Sequence, residues 1–495
     1  MLGRSRARAS TRFAVLSVLV LTTGVLLASA PAASPSPSGS LAKVDASVLR
    51  QIHVNGSARF WVLFRQQADL SRASAIADWT ARGAFVVDSL KAVASSSQRA
   101  MRAELAGSHV AYRSFWIVNG ILVTRGTAAT LEAAAARPEV SRIAADWHGF
   151  VIMPLKGRRI KSIGAVEWNI KNIRANKVWK LLGDRGAGSV VAAIDTGAQF
   201  DHPALVNAYR GNQGGGSFNH NYNWWDPSHI CPQPKPCDNV GHGTHTMGTM
   251  VGRAGVNKIG VAPNAKWIEA KGCESNSCSS SALLSSGQFM LAPTDLNGNN
   301  PDPSKRPDVV NNSWGSGSGS DTFYQATVNS WVAAGIFPQF SNGNAGPNCG
   351  TVRAPGSYIN SYGAGAYDIN NVIASFSSRG PSPFGGEIKP NISAPGVNVR
   401  SSVPTNGYAS FSGTSMASPH VAGTIALVIS KNPSLRGNIS QLRTIIDNSG
   451  IDVNALTCGG TLDDNNVFGE GRLDAYAAVL SAASLGGSEA TAGLR

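Results

Sequence analysis

Five short, mostly apolar runs separated by helix-length stretches constrain this chain more than any other feature. They lie at residues 189–194, 266–270, 308–310, 336–340 and 361–366. A strand with one wet face alternates apolar and polar side chains. A near-continuous apolar run is a strand covered on both faces, and helix-length crossovers make successive strands parallel. The runs therefore predict an α/β domain, a mostly parallel sheet flanked by helices. Two closing helices are expected at about 415–430 and 439–449. The chain shows no internal repeat.

At 495 residues the chain is longer than the ~100–200 of one typical domain. Residues 1–32 read as a secretory leader. Arg4, Arg6, Arg8 and Arg12 precede an apolar run from Phe13 to Leu27, and small residues follow. That run is shorter than the ~20 residues a membrane-spanning helix needs, so no stable membrane insertion is expected. Residues 33–40 form a Pro/Ser-rich spacer. Residues 41–155 read as a small α+β unit. In it, strand-like segments at 60–64, 114–118 and 140–143 alternate with Ala-rich helical stretches at about 89–107 and 127–136. The large domain is expected over 156–483, after a basic connector at its start, with a flexible tail at 484–495.

The formal net charge is +14. Residues 1–155 hold 17 of the 43 basic and 8 of the 29 acidic residues, so most of the excess precedes the large domain. No basic run is interleaved with aromatics, and nucleic acid is not an expected partner. The six cysteines allow 15 pairings. Cys231/Cys237 and Cys273/Cys278 are close in sequence, which leaves Cys349 and Cys458 as a candidate long-range link. Their spacing lacks a zinc-site rhythm, and no metal ligand set is assigned.

Three short motifs carry chemistry. Ile194-Asp195-Thr196-Gly197 ends an apolar strand, where α/β enzymes place their sites. Gly241-His242-Gly243-Thr244-His245 opens a helical stretch. Gly413-Thr414-Ser415-Met416-Ala417 runs into the apolar helix that follows. A serine hydroxyl is a weak nucleophile and needs a base within hydrogen-bond reach. Imidazole suits that task, and a buried carboxylate fixes its tautomer. Ser415 is thus the candidate nucleophile, His242 the general base and then acid, and Asp195 the orienting carboxylate. Each motif alone has an ordinary structural reading: a turn Asp, a loop His, a helix-capping Ser. Their order decides between them. An α/β-hydrolase runs Ser, Asp, His with a G-x-S-x-G elbow, and chymotrypsin runs His, Asp, Ser; the order Asp, His, Ser is that of subtilisin.

With these three motifs the chain resembles the subtilase family over roughly residues 165–480. Asp201-His202-Pro203, Ile259-Gly260-Val261-Ala262-Pro263 and Ser393-Ala394-Pro395-Gly396 extend the likeness. Within the family it is most similar to the bacillopeptidase F group, on Val309-Val310-Asn311-Asn312-Ser313-Trp314-Gly315 and Ser375-Phe376-Ser377-Ser378-Arg379-Gly380-Pro381. The resemblance implies a secreted, monomeric serine endopeptidase that cleaves protein or peptide substrates through an acyl-enzyme. Ser341-Asn342-Gly343-Asn344-Ala345-Gly346 is similar to the family's oxyanion segment, with Asn344 as donor. Ser313, Trp314 and Gly315 match its substrate-pairing strand, and Ser341, Asn342 and Gly343 line the same region. Cys273 and Cys278 fall near the opposite rim, where a bridge would stiffen the cleft.

Arg353 aligns near the floor of the primary specificity pocket, which implies a preference for Glu or Asp before the scissile bond; the alternative is an Arg held by solvent or by the protein. Residues 41–155 resemble the family's propeptide, an inhibitor and chaperone, with self-cleavage expected at about 154–165. No cofactor is required for the chemistry. Structural calcium is not carried over: the segment 248–260 is shorter than the usual calcium loop, and Ala204 stands where a liganding carboxylate is often found. Two rivals are another acyl-transfer enzyme, such as an esterase, and a non-catalytic binding protein on the same scaffold.

Overall fold

The structure is a computed structural model, and it describes residues 41–151, 155–156 and 166–492. The leader expected at 1–32 and the spacer at 33–40 lie outside the described residues. All five apolar runs are strands, and two more join them. In chain order these are β1 (Val190–Asp195), β2 (Trp224–Trp225), β3 (Lys266–Lys271), β4 (Val309–Asn312), β5 (Phe337–Ser341), β6 (Tyr362–Tyr367) and β7 (Ile392–Pro395). They form one sheet in the order β2-β3-β1-β4-β5-β6-β7, parallel throughout. From β1 the chain first fills one side, the edge strand β2 before β3, and then builds outward on the other from β4 to β7. A crevice therefore opens beyond the carboxyl ends of β1 and β4.

Why the runs are continuously apolar is visible in the packing. Ala192, Ile194, Val310 and Phe340 face the helices Ser280–Leu291 and Gln325–Ala333. Their strand neighbours Val191, Ala193, Val309 and Phe337 face the opposite layer. That layer holds α1 (His242–Val251) and α2 (Thr414–Lys431). Every residue of α2 from Thr414 to Ile429 is buried, so it is a core helix. Each buried Val or Ile contributes roughly 1.5–3 kcal/mol, and the sheet buries such side chains on both faces.

Residues 41–145 form a four-stranded antiparallel sheet in the order Tyr112–Phe115, Gly120–Gly126, Ala58–Phe64, Val140–Ala145. The sequence pattern showed three of these strands and missed Gly120–Gly126. The chain turns back sharply through Asn119, which sits at φ +43°, a conformation Asn tolerates better than most residues. The helix expected at about 89–107 is two helices, Trp79–Ser97 and Arg99–Gly107. Gln98 between them turns inward, donating to Phe115 O at 3.2 Å and Asn119 Oδ1 at 3.0 Å. This small unit packs on the large one. Arg82 donates to the carbonyls of Ala333 (2.6 Å), Gly437 (3.0 Å) and Val332 (3.1 Å), and Gln288 accepts from the Trp116 amide (2.8 Å).

The segment that follows enters the large unit. His148–Val151 lies as an antiparallel strand between Ser277–Ser279 and Trp314–Gly315. Leu155–Lys156 pairs with Phe411–Ser412. At the other end, the tail expected to be loose from 484 is helical to Ala492, as part of Ala475–Ala492. Ala475, Ala478, Val479 and Ala482 anchor the first half of that helix in the core. Three disulfides close, Cys231–Cys237, Cys273–Cys278 and Cys349–Cys458. The last spans 109 residues, so it restrains the unfolded chain most.

Candidate active site

Asp195 ends β1 at the crevice, and His242 is the first residue of α1. His242 Nδ1 donates to Asp195 Oδ1 at 2.7 Å, with both side chains 1 % exposed. Asp195 also accepts from the Thr196 amide (2.7 Å) and the Thr246 hydroxyl (3.2 Å). Three other buried histidines show the contrast. His245 Nε2 faces the carbonyls of Val399 and Ala409, and burial pushes its pKa down to about 3. His420 lies between the Met416 carbonyl and Asn169, pushed down by burial to about 4. His202 is lowered by burial and bonds the Gly407 carbonyl. Of these four, only His242 is hydrogen-bonded to a carboxylate.

The loop before α1 is held by a residue the motif reading passed over. Asp238 accepts from the amides of Val240 (3.0 Å), Gly241 (2.8 Å) and Thr244 (2.9 Å) and from the hydroxyls of Thr196 (2.9 Å) and Thr244 (2.7 Å). An acidic side chain just ahead of a Gly-led helix is a capping signal, so the sequence could have shown it. Gly243 lets α1 approach β1. A β-carbon there would come within 2.2 Å of Gly197 O and 3.1 Å of Asp195 Cβ.

Ser415 stands in the first turn of α2 and is fully buried. Its Oγ lies 3.3 Å from the Ser313 carbonyl oxygen, and the Ser313 hydroxyl donates to the Ser415 carbonyl at 3.1 Å. His242 Nε2 is buried and makes no hydrogen bond among the described residues. Catalytic hydrogen bonds often tighten only when substrate is engaged.

Asn344 reaches the same helix start. Thr414 donates to its Oδ1 twice, from the amide at 2.9 Å and from the hydroxyl at 2.8 Å. Because those donors need an oxygen, the amide nitrogen Nδ2 is left to donate elsewhere. Gly343, at φ +104°, donates its own amide to the Thr414 hydroxyl at 3.2 Å. Asn342 is fixed through Nδ2 to the Ser378 carbonyl at 2.7 Å, and Ser341 ends β5 below it.

Trp314 and Gly315 pair with Val151 and Phe150, as a substrate-pairing strand would with an extended peptide. Arg353 lies beside Gly343, whose added β-carbon would meet Arg353 Cγ at 2.8 Å. Its guanidinium donates to the Gly317 carbonyl and its amide to the Asn342 carbonyl.

The residues near the usual calcium loop do not fit a hard dication. The segment forms a hairpin, Arg253–Ala254 with Asn257–Lys258. Buried Arg400 donates to Glu167 Oε1 at 2.7 Å and to Asn257 Oδ1 at 3.1 Å, and its guanidinium lies 4.3 Å from the Tyr408 ring centre. A cation already occupies the middle of that arrangement, where calcium would need a shell of oxygens. Among the described residues no group of three or more His, Cys, Asp or Glu is placed to hold a metal.

Comparison with known proteins agrees with this geometry. A model of the subtilase family matches residues 186–471. Bacillopeptidase F of Bacillus subtilis (strain 168) is 36% identical over an alignment covering 94% of this chain and 35% of that protein. An alkaline protease of Alkalihalobacillus alcalophilus is 36% identical, over 63% of this chain and 70% of its own. Subtilisin Savinase of Lederbergia lenta is 36% identical, over 63% of this chain and 98% of its own. The chain thus spans about a third of the length of bacillopeptidase F.

Proposed function

The chain belongs to the subtilase family, and from that premise we propose that it is a secreted serine endopeptidase made as a self-cleaving zymogen. The observation that carries the proposal is the buried His242–Asp195 pair set at the same crevice as Ser415 and Asn344. In the reaction, Ser415 Oγ attacks the peptide carbonyl as its proton passes to His242 Nε2. Asp195 stabilises the imidazolium through Nδ1. Nδ2 of Asn344, with the amide end of α2, receives the developing oxyanion. The tetrahedral intermediate collapses as His242 returns the proton to the leaving amine. Water then repeats the sequence on the acyl-Ser415 ester.

Residues 41–151 act as the chain's own inhibitor in this reading. Val151 pairs with Trp314, next to Ser313, and Leu155 pairs with Ser412, three residues before Ser415. These pairings favour a self-cleavage within residues 151–155, at the upstream limit of the 154–165 range expected from the sequence. Residues 147–156 contain no Asp or Glu, and Arg353 already spends a donor on Gly317. Both points favour apolar residues over acidic ones before the scissile bond. Export is supported by the Arg-led apolar leader and by three disulfides. No described helix is long and apolar enough to cross a membrane.

Peptide-library profiling of the secreted enzyme beside its Ser415→Ala variant tests the proposal. Cleavage by the first and none by the second is expected; equal turnover by both, or turnover of lipid esters alone, would overturn it.

A further inference from the structure

Beneath the triad lies a carboxyl group that the proposed mechanism does not use. Glu269 is on β3, opposite Ala193 of β1, two residues before Lys271, which is opposite Asp195. Alternate residues of a strand share a face, so Glu269 and Lys271 point to the same side. Glu269 is fully buried; the Gly197 amide lies toward its carboxyl, and neither oxygen closes a well-formed hydrogen bond among the described residues. A β-carbon at Gly243 would come within 2.8 Å of Glu269 Oε1. The carboxyl is therefore packed between the strand carrying Asp195 and the helix carrying His242.

The groups around it compensate a negative charge there only in part: Lys271 and the Gly197 amide favour it, and Asp195 and Asp238 oppose it. Asp238 takes five donors and Asp195 takes three. Lys271, the one ammonium nearby, donates instead to the Thr196 carbonyl (2.5 Å) and Asn239 Oδ1 (2.6 Å). His242 supplies no hydrogen bond to Glu269, and His245 is held neutral between backbone carbonyls. From β2, Trp224 lies opposite, and it carries no charge. Asp195, Asp238 and Asp226 already outnumber the single ammonium of Lys271, so an ionised Glu269 would add a further negative charge beneath His242.

We propose that Glu269 is a positioning residue of the triad: a neutral carboxylic acid that spaces α1 from β3 and leaves Asp195 as the sole negative charge bonded to His242. Burial and the like charges of Asp195 and Asp238 push its pKa well above the ordinary range, in the direction this role needs. The inference rests on the proposed protease function.

Two readouts test it, one independent of activity. In the full-length Ser415→Ala chain, the infrared difference spectrum against the added Glu269→Gln change at neutral pH should show loss of a protonated-carboxyl carbonyl band. Loss of a carboxylate band instead would overturn the proposal. In the active enzyme, Glu269→Ala should lower kcat on the order of tenfold with KM nearly unchanged, through misplacement of the triad. Glu269→Gln should recover most of that loss and keep the acidic limb of the kcat/KM profile where it was. A Gln variant whose acidic limb moves down by a full pH unit would show that a carboxylate had been acting on His242. A Glu269→Ala enzyme with unaltered kcat would remove the positioning role. An inactive parent enzyme would count against the protease function alone, because the infrared result stands without turnover.

Discussion

Thr414 holds Asn344 by the oxygen of its side-chain amide, donating from its own amide at 2.9 Å and its hydroxyl at 2.8 Å. That double bond to one acceptor fixes which end of the amide faces Ser415. Asn344→Ala should lower kcat by about 10²–10³-fold, the loss found for the corresponding donor in subtilisin, with KM little changed. Thr414→Val removes one of the two anchors and should cost about tenfold, in line with one hydrogen bond. Steady-state kinetics on a single peptide checks both. Equal losses in KM would place Asn344 in ground-state binding instead.

The pairing of Val151 with Trp314 and of Leu155 with Ser412 sets the expected maturation product. Secreted wild-type protein should begin within residues 152–155, as read by N-terminal sequencing. The Ser415→Ala protein should keep residues 41–151 covalently attached. A wild-type start well past residue 156, or a normal start in the Ser415→Ala protein, would point to another protease.

Much of this site was legible before any coordinates. The apolar runs gave the parallel sheet because both faces of it are buried, and that burial erases the polar alternation of a half-wet strand. Asp195, His242 and Ser415 could be proposed from the sequence because triad chemistry demands those residue types and their order is restricted. Asp238 and Thr414 went unread because their role is to satisfy particular amides, and which amides converge is a property of the folded loops. Glu269 was invisible for a similar reason. In sequence it is one acidic residue in an apolar strand, and only the approach of Gly243 places it under the triad. The strand Gly120–Gly126 was missed although Asn119-Gly120 is itself a hairpin signal in the sequence.

Arg400 and Glu167 are 2% and 4% exposed and lie 2.7 Å apart. Removing one partner strands a buried charge. Arg400→Ala should therefore cost about 3–5 kcal/mol, and adding Glu167→Ala should recover part of it. Because the cation at this position is a guanidinium, chelator should leave the thermal midpoint of the wild-type enzyme unchanged. A midpoint that falls on chelation would show that calcium contributes to stability after all.

His420 donates from Nδ1 to the Met416 carbonyl, and its Nε2 accepts from Asn169, each at 2.8 Å. Both ring nitrogens are committed to the neutral form, and burial pushes the pKa from 6.5 down to about 4. The unfolded chain then takes up the proton first. The stability this group contributes is complete above pH 6.5 and is lost as pH falls from there through about 4. Denaturant midpoints measured across that window should fall with pH, and His420→Gln should flatten the fall. A slope that the substitution leaves untouched would assign it to other groups.

The central claim is that Ser415 is activated by His242 and Asp195. Its most direct measurement is mass mapping of the secreted enzyme after treatment with a phosphonofluoridate, beside the Ser415→Ala and His242→Ala variants. One adduct on Ser415 is expected in the wild type, none there in Ser415→Ala, and strongly slowed labelling in His242→Ala. An unlabelled Ser415 in active enzyme, or peptidase activity that survives Ser415→Ala, would contradict the claim.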